Sequence, residues 1–366
     1  MSPLRDQFLL DSGVVFLNHG SFGACPRPVL EECQRWQREL ERRPIELLGL
    51  RRRYPELIGH VRERLARYVG ADPANLLLMP NASSGINRFA RSLRLVPGDE
   101  VLISDQEYGG MEILWRFVTG RAGAQLVVLP PQQLVEAIGP RTRVVFASHI
   151  TSPTAIRLPL ETLISAARDA GALTLVDGAH APGQIALDLE ALGADAYAGN
   201  CHKWLCAPKG TGFLHVGPEH QHWLEPDVVS WDWAAGRSFA DRHRWAGTRD
   251  PSGFLAVPAA IDFQAEHDWD AVRASCRSLA RQARGRLAEL FQLEPLAGED
   301  AVEQMVAAPL PPCDVDEVAR RLREEHHVEV PVWEWKGRPL VRASFQGYND
   351  EDDLEALIGG LAAILR

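Results

Sequence analysis

Between residues 101 and 177 short apolar runs alternate with amphipathic stretches, and this alternation constrains the fold more than any other feature of the chain. Residues 101–104, 125–129, 143–148 and 173–177 read as strands that are apolar on both faces. Residues 110–120 and 159–170 read as helices between them. Strands of that kind need cover on both faces, and helical crossovers supply it, so the pattern is that of a mostly parallel sheet in an α/β fold. Three amphipathic helices are expected upstream, at 29–43, 55–69 and 83–95. From about 255 the pattern changes: a long helical stretch, strand-like segments at 328–330 and 340–342, and a closing helix at 350–365. A smaller C-terminal α+β domain packed on the large α/β domain is expected, and 366 residues suffice for both.

Charge and composition exclude several classes of function. A net charge of −10, with no basic stretch interleaved with aromatics, opposes nucleic acid as a partner. No run approaches the ~20 apolar residues that cross a bilayer, so no membrane association is expected. The opening Met-Ser-Pro-Leu-Arg-Asp has no cationic stretch leading into an apolar one, so no secretory leader is expected. The six cysteines form no CxxC pair or dense framework, which reads as free thiols, a cytoplasmic protein and no metal site.

The chemistry concentrates around one amine. Only three of the 39 basic residues are lysines: Lys203, Lys209 and Lys336. A Schiff base needs an amine that can lose its proton, which a guanidinium cannot do. Lys209 and Lys336, each beside a glycine, read as solvated surface charges. Lys203 lies in Asn200-Cys-His-Lys-Trp, downstream of Asp177, which closes an apolar strand and precedes Gly178-Ala-His-Ala-Pro-Gly. In parallel α/β sheets ligands bind outside the carboxyl ends of strands. A lysine, a carboxylate at such an end and a flat polar partner are the parts that pyridoxal phosphate needs. Asn81-Ala-Ser-Ser-Gly opens a helix, where free N–H groups and hydroxyls bind a phosphate; on residue type alone an ordinary serine cap is the stronger reading. There is no Walker loop and no GxGxxG, so nucleotide phosphates are not favoured.

Phe16-Leu-Asn-His-Gly-Ser-Phe-Gly-Ala, Asp177-Gly-Ala-His-Ala-Pro-Gly, Asn200-Cys-His-Lys, Arg244-Trp-Ala-Gly-Thr-Arg-Asp-Pro-Ser and Val341-Arg-Ala-Ser-Phe-Gln-Gly-Tyr-Asn follow one another along nearly the whole chain. Together they resemble the class V aminotransferases among fold type I pyridoxal phosphate enzymes, in the isopenicillin N epimerase-like and cysteine desulfurase-like branch. The resemblance implies a large domain with a mostly parallel, seven-stranded-type sheet over 21–254. It also implies a small α+β domain over 255–366 and an N-terminal segment, 1–20, reaching the active site. It implies that Lys203 is the Schiff-base lysine and acid/base, that Asp177 pairs with the pyridine nitrogen, and that His180 lies near the phenolic oxygen. Ser83, Ser84, Asn200 and His202 would surround the phosphate. Thr248 would reach the phosphate of a neighbouring subunit, which implies a homodimer. Arg342 would bind the substrate carboxylate, a task suited to its planar fork. Tyr108 stands where desulfurases stack a His on the ring; its residue type alone suggests a half-buried aromatic.

The departures from the family pattern bear on the reaction. Residues 328–341 lack the cysteine a persulfide-forming desulfurase carries there, so that activity is disfavoured. Ser152 replaces the desulfurase Asn at the phenolic oxygen, and Thr151-Ser-Pro-Thr matches the epimerase-like branch. The expected function is therefore a pyridoxal phosphate enzyme that epimerises an amino acid or amino-acid-derived small molecule through a Cα carbanion; C–S β-lysis and transamination are the alternatives. Epimerisation wants a second acid/base, for which Tyr108, His180 and His19 are candidates. Arg249, Trp231, Trp233 and Trp333 are candidates for the distal part of the substrate, although tryptophans also serve interfaces. A nicotinamide dehydrogenase is opposed by the missing glycine fingerprint. A non-catalytic sensor is opposed by the lack of room for a DNA-binding unit before residue 16.

Overall fold

A computed structural model of the chain describes residues 4–366, so the first three residues of the expected N-terminal segment lie outside the described residues. The central sheet has seven strands in the order Leu76–Met79, Gly212–Val216, Ala196–Asn200, Leu173–Gly178, Thr142–Ser148, Glu100–Ser104, Gln125–Leu129. Gly212–Val216 is antiparallel to both its neighbours, and the other pairs are parallel. Helices Ala82–Ser92, Gly109–Ala122 and Leu160–Asp169 connect successive strands. Fully buried Trp115, Phe89, Phe146 and Phe213 fill the layers beside the sheet, each contributing about 1.5–3 kcal/mol by leaving water.

Several local signals set the element ends. Asn81, Asp188, Asp314 and Asp350 cap helices with side-chain oxygens, and Asp350 forms a full capping box with Asp353. The helix expected over 83–95 spans Ala82–Ser92; Leu93 turns extended ahead of Pro97. The long helical stretch expected from 255 is three helices, Ser252–Leu255, Val257–Glu266 and Trp269–Phe291, with Asp268 in the left-handed conformation at the last break. Six strands were not expected from the sequence pattern: Val15–Phe16, Leu76–Met79, Ala196–Asn200, Gly212–Val216, Met305–Pro309 and Val332–Trp335.

A second, three-stranded antiparallel sheet orders Val332–Trp335, Arg338–Ser344 and Met305–Pro309, covered by the helices Trp269–Phe291, Val315–His326 and Glu351–Leu365. The N-terminal segment joins it: Val15–Phe16 pairs in parallel with Val328–Glu329, and Asn18 bridges Ser344. Among the described residues no helix is long and apolar enough to cross a membrane.

Adjacent strands approach closely at Gly178, where a Cβ would lie 2.0 Å from the ring of buried Tyr197. Gly178→Ala is expected to destabilise the chain by about 1–3 kcal/mol through overpacking, read as a lower urea midpoint.

Candidate active site

The carboxyl ends of three parallel strands bring Ser148, Asp177 and Asn200 to one edge of the sheet; Ser148 and Asp177 are register partners. They border a cavity of about 360 Å³ also lined by Ser21, Phe22, Ser83, Tyr108, Ser152, His180, His202, Lys203 and Arg342. A larger groove of about 620 Å³ lies along the helix Trp269–Phe291, but its lining holds no comparable group of amine, carboxylate and guanidinium.

Asp177 is buried, and its Oδ1 accepts the Ala179 N–H at 2.9 Å. Burial pushes its pKa up, while the Ala179 bond and the charge of Lys203 pull the other way. A second buried carboxyl, Glu107, lies behind it and was not singled out in the sequence. The Ser148 N–H donates to its Oε1 at 3.0 Å, and the Ser148 hydroxyl donates to its Oε2. Burial, reinforced by the charge of Asp177 and opposed by the Ser148 bonds, takes Glu107 up to about 8. The only sequence signal for it is its position directly before Tyr108.

Lys203 follows the strand Ala196–Asn200 in a loop clamped by the N-terminal turn. Gly23, at φ +72, lies where a Cβ would be 2.1 Å from the His202 carbonyl, so only glycine admits this contact. Burial lowers the Lys203 amine to about 8; the Arg342 charge adds to that effect and Asp177 opposes it. Its Nζ lies 3.3 Å from His180 Nε2, and the Trp204 indole N–H donates to His180 Nδ1 at 3.2 Å. His19 is not among the residues lining the cavity. It is fully buried, its Nε2–H donates to the Lys203 carbonyl at 3.0 Å, and its Nδ1 accepts from the Tyr348 hydroxyl at 2.9 Å. Burial drops its pKa to about 3. Both ring nitrogens are engaged within the chain, and the ring ties the lysine loop to Tyr348.

The helix Ala82–Ser92 points its N-terminus at the cavity. Asn81 Oδ1 accepts from Ser84 N and Asn200 Oδ1 from Ala82 N, both at 2.8 Å. Ser83 is left facing the cavity, whereas Ser84 is not among the lining residues. His202 donates Nδ1–H to the Thr211 carbonyl at 2.7 Å, which leaves Nε2 free, and burial lowers its pKa to about 4.

Arg342 has no carboxylate partner among the described residues. Its Nη1 donates to the carbonyl and hydroxyl of Ser152, its Nη2 to Ser21 Oγ at 3.3 Å, and its buried Nε has no acceptor. Desolvation lowers even this guanidinium to about 10. Trp333 lies across it, 5.4 Å from ring centroid to guanidinium carbon. Ser152 is thus occupied with Arg342. Trp231, Trp233, Thr248 and Arg249 are not among the cavity's lining residues: Trp231 is 81% exposed, Trp233 packs on His243 and Arg242, and Arg249 lies over Phe254. Lys336 is exposed, as expected, and it also pairs with Asp105, which ties the hairpin 332–344 to the loop before Tyr108.

A deprotonatable amine, a buried carboxylate, an uncompensated guanidinium and an open helix N-terminus around one cavity fit an aromatic aldehyde phosphate and the carboxylate of an amino acid. Tyr108, half exposed at the rim, offers a flat face.

A family model described as aminotransferase class V matches residues 16–357. The isopenicillin N epimerase of Streptomyces clavuligerus is 39% identical, with 98% of this chain and 97% of that protein covered. The isopenicillin N epimerase of Amycolatopsis lactamdurans is 40% identical over 98% of this chain and 96% of that protein. Among solved structures, a C-DES variant with glycine covalently linked to its PLP cofactor superposes with a TM-score of 0.89 at 22% identity, covering 99% of each chain.

In the cofactor-free chain, modification of Lys203 by pyridoxal phosphate and borohydride, mapped by peptide mass spectrometry, should rise with pH through an inflection near 8. The neutral amine is the nucleophile, so reactivity appears as the proton is lost. Arg342→Gln should move the inflection up, and Asp177→Asn should move it down.

Proposed function

The chain belongs to the class V aminotransferase family, and from that premise we propose that it is a pyridoxal phosphate enzyme that epimerises the α-centre of an amino acid or an amino-acid-derived metabolite of the isopenicillin N type. One observation carries this reading: a buried amine poised to be neutral and a buried guanidinium without a counter-ion share one cavity. The first is a base and nucleophile, and the second is a receptor for a carboxylate.

When bound, the cofactor supplies an electron sink for the pair left at Cα. Asp177 would hold a proton on the ring nitrogen, and His180 Nε2–H would donate to the ring hydroxyl oxygen. Ser83, Asn200 and His202 would hold the phosphate, aided by the helix N-terminus, and Tyr108 would cover the ring face. Arg342 would take the substrate carboxylate in its fork, with Trp333 fixing the plane of the guanidinium. Lys203 would then remove the Cα proton, its pKa of about 8 leaving roughly half of the amine deprotonated near that pH. Thr248 is exposed and outside its own chain's cavity, and in the proposed homodimer it would complete the site of the second subunit. The separation into residues 1–20, 21–254 and 255–366 is retained with it. No cysteine lines the cavity, and Cys206 is buried beneath His19, which opposes persulfide formation.

The deciding experiment incubates the purified protein with panels of amino acids and peptides in deuterated water. Deuterium at Cα with inversion is expected; release of pyruvate, ammonia or a thiol, or formation of a keto acid, would replace epimerisation by lysis or transamination. Loss of the visible cofactor band in Lys203→Ala is expected in the same preparation. Arg342→Lys, which removes the planar fork and its charged hydrogen bonds, should raise KM about 10- to 100-fold, measured by steady-state kinetics.

A further inference from the structure

We infer that Trp204 is a positioning residue: its indole N–H locks His180 as a hydrogen-bond donor toward the reactive amine and bars it from acting as the second base. The inference deepens the proposed function and rests on Lys203 being the reactive amine.

The argument begins with the donor inventory. An indole N–H only donates, so the 3.2 Å contact from Trp204 Nε1 makes His180 Nδ1 an acceptor. A neutral imidazole has one N–H and one lone pair, which places the proton on Nε2. Nε2 lies 3.3 Å from Lys203 Nζ. An N–H can donate there only to a lone pair, so the network selects the neutral, nucleophilic form of the amine. Among the described residues no carboxylate bonds to His180; the charges that act on it, from Lys203 and Arg342, are positive, and His19 adds to them when protonated. An imidazolium would have to protonate Nδ1 and break the Trp204 bond beside those cations.

Trp204 and His180 are both held in place. Trp204 is fully buried, its carbonyl accepts from Gln264 Nε2 at 2.9 Å, and its ring lies 5.0 Å from that of His19. The His180 carbonyl accepts from Gln184 Nε2 at 2.7 Å, and Gln184 Oε1 accepts the Gln304 N–H at 2.8 Å. The two rings therefore meet in one geometry. For a reaction that removes the Cα proton on one face and returns it on the other, His180 supplies a donor and orientation. The acid of the opposite face has to be a different group that faces the cavity.

The test uses the full-length protein loaded with pyridoxal phosphate and labelled with 15N in histidine, with His180 assigned by comparison with His180→Gln. Long-range proton–nitrogen spectra should show an unprotonated Nδ1 and a protonated Nε2 that persist from about pH 5 to 8, the range in which an ordinary histidine titrates. Trp204→Phe should mix the tautomers and lower kcat about 10- to 100-fold at unchanged KM, as loss of a second-layer partner does for ligating histidines. Should Trp204→Phe fail to fold, a site-specific benzothienylalanine at 204 keeps the shape and removes only the N–H, with the same expected outcome. A proton on Nδ1 in the wild type overturns the inference, as does an N–H-free side chain at 204 that leaves both tautomer and kcat unaltered. The borohydride-sensitive visible band, read on the same sample, reports separately on the proposed cofactor, since its absence leaves the tautomer measurement standing.

Discussion

Two basic groups, Lys203 and Arg342, share a desolvated cavity in which, among the described residues, Asp177 is the only carboxylate on the lining. Charge in such a place is costly unless it is paired, and the chain meets that cost differently at each group. At Lys203 the amine tends to the neutral state. At Arg342 the guanidinium keeps its charge and leans on the Ser152 carbonyl, two hydroxyls and the face of Trp333. Both solutions leave something wanting: a lone pair on one side and an unmatched cation on the other. An amino acid whose amine is held by a cofactor and whose carboxylate is free would satisfy both at once.

The surroundings serve that imbalance. The N-terminal turn threads from the small sheet to the lysine loop, where His19 spans Tyr348 and the Lys203 carbonyl. Because Asn18 bridges Ser344, whose N–H donates to the Leu17 carbonyl at 2.8 Å, the N-terminal turn and the strand bearing Arg342 are parts of one piece of structure. Buried Glu107, bonded to Ser148, gives the sheet edge a second carboxyl that burial turns toward its neutral form, which spares Asp177 a like-charged neighbour.

Much of this was legible in the sequence. Strands with bulky apolar residues, such as 101–104 and 143–148, announced themselves, whereas Ala196–Asn200 did not. Its alanines and glycine leave room for a close-packed helix: a Cβ on Gly85 would lie 3.2 Å from the Ala198 methyl. Small residues chosen for contact carry little periodic signal. Lys203, Asp177, His180, Ser83, Asn200, His202, Tyr108, Ser152 and Arg342 come together around the cavity, since a strand end or helix start with its motif fixes each locally. The packing of His19 against Tyr348 and the Lys203 carbonyl left no mark in the sequence, because these neighbours are remote along the chain. Trp204 and Glu107 were missed for the same reason, as their partners arrive through folding rather than spacing.

Lys336 adds a mechanical consequence. It sits at the turn of the hairpin whose second strand carries Arg342, and it grips Asp105, three residues before Tyr108. The exposed pair contributes about 0–1 kcal/mol and weakens as ions screen it. Such a contact works as a clasp rather than a rivet. The hairpin that carries the guanidinium is thereby fastened, by a contact that ions can loosen, to the strip of chain beside the tyrosine at the cavity rim.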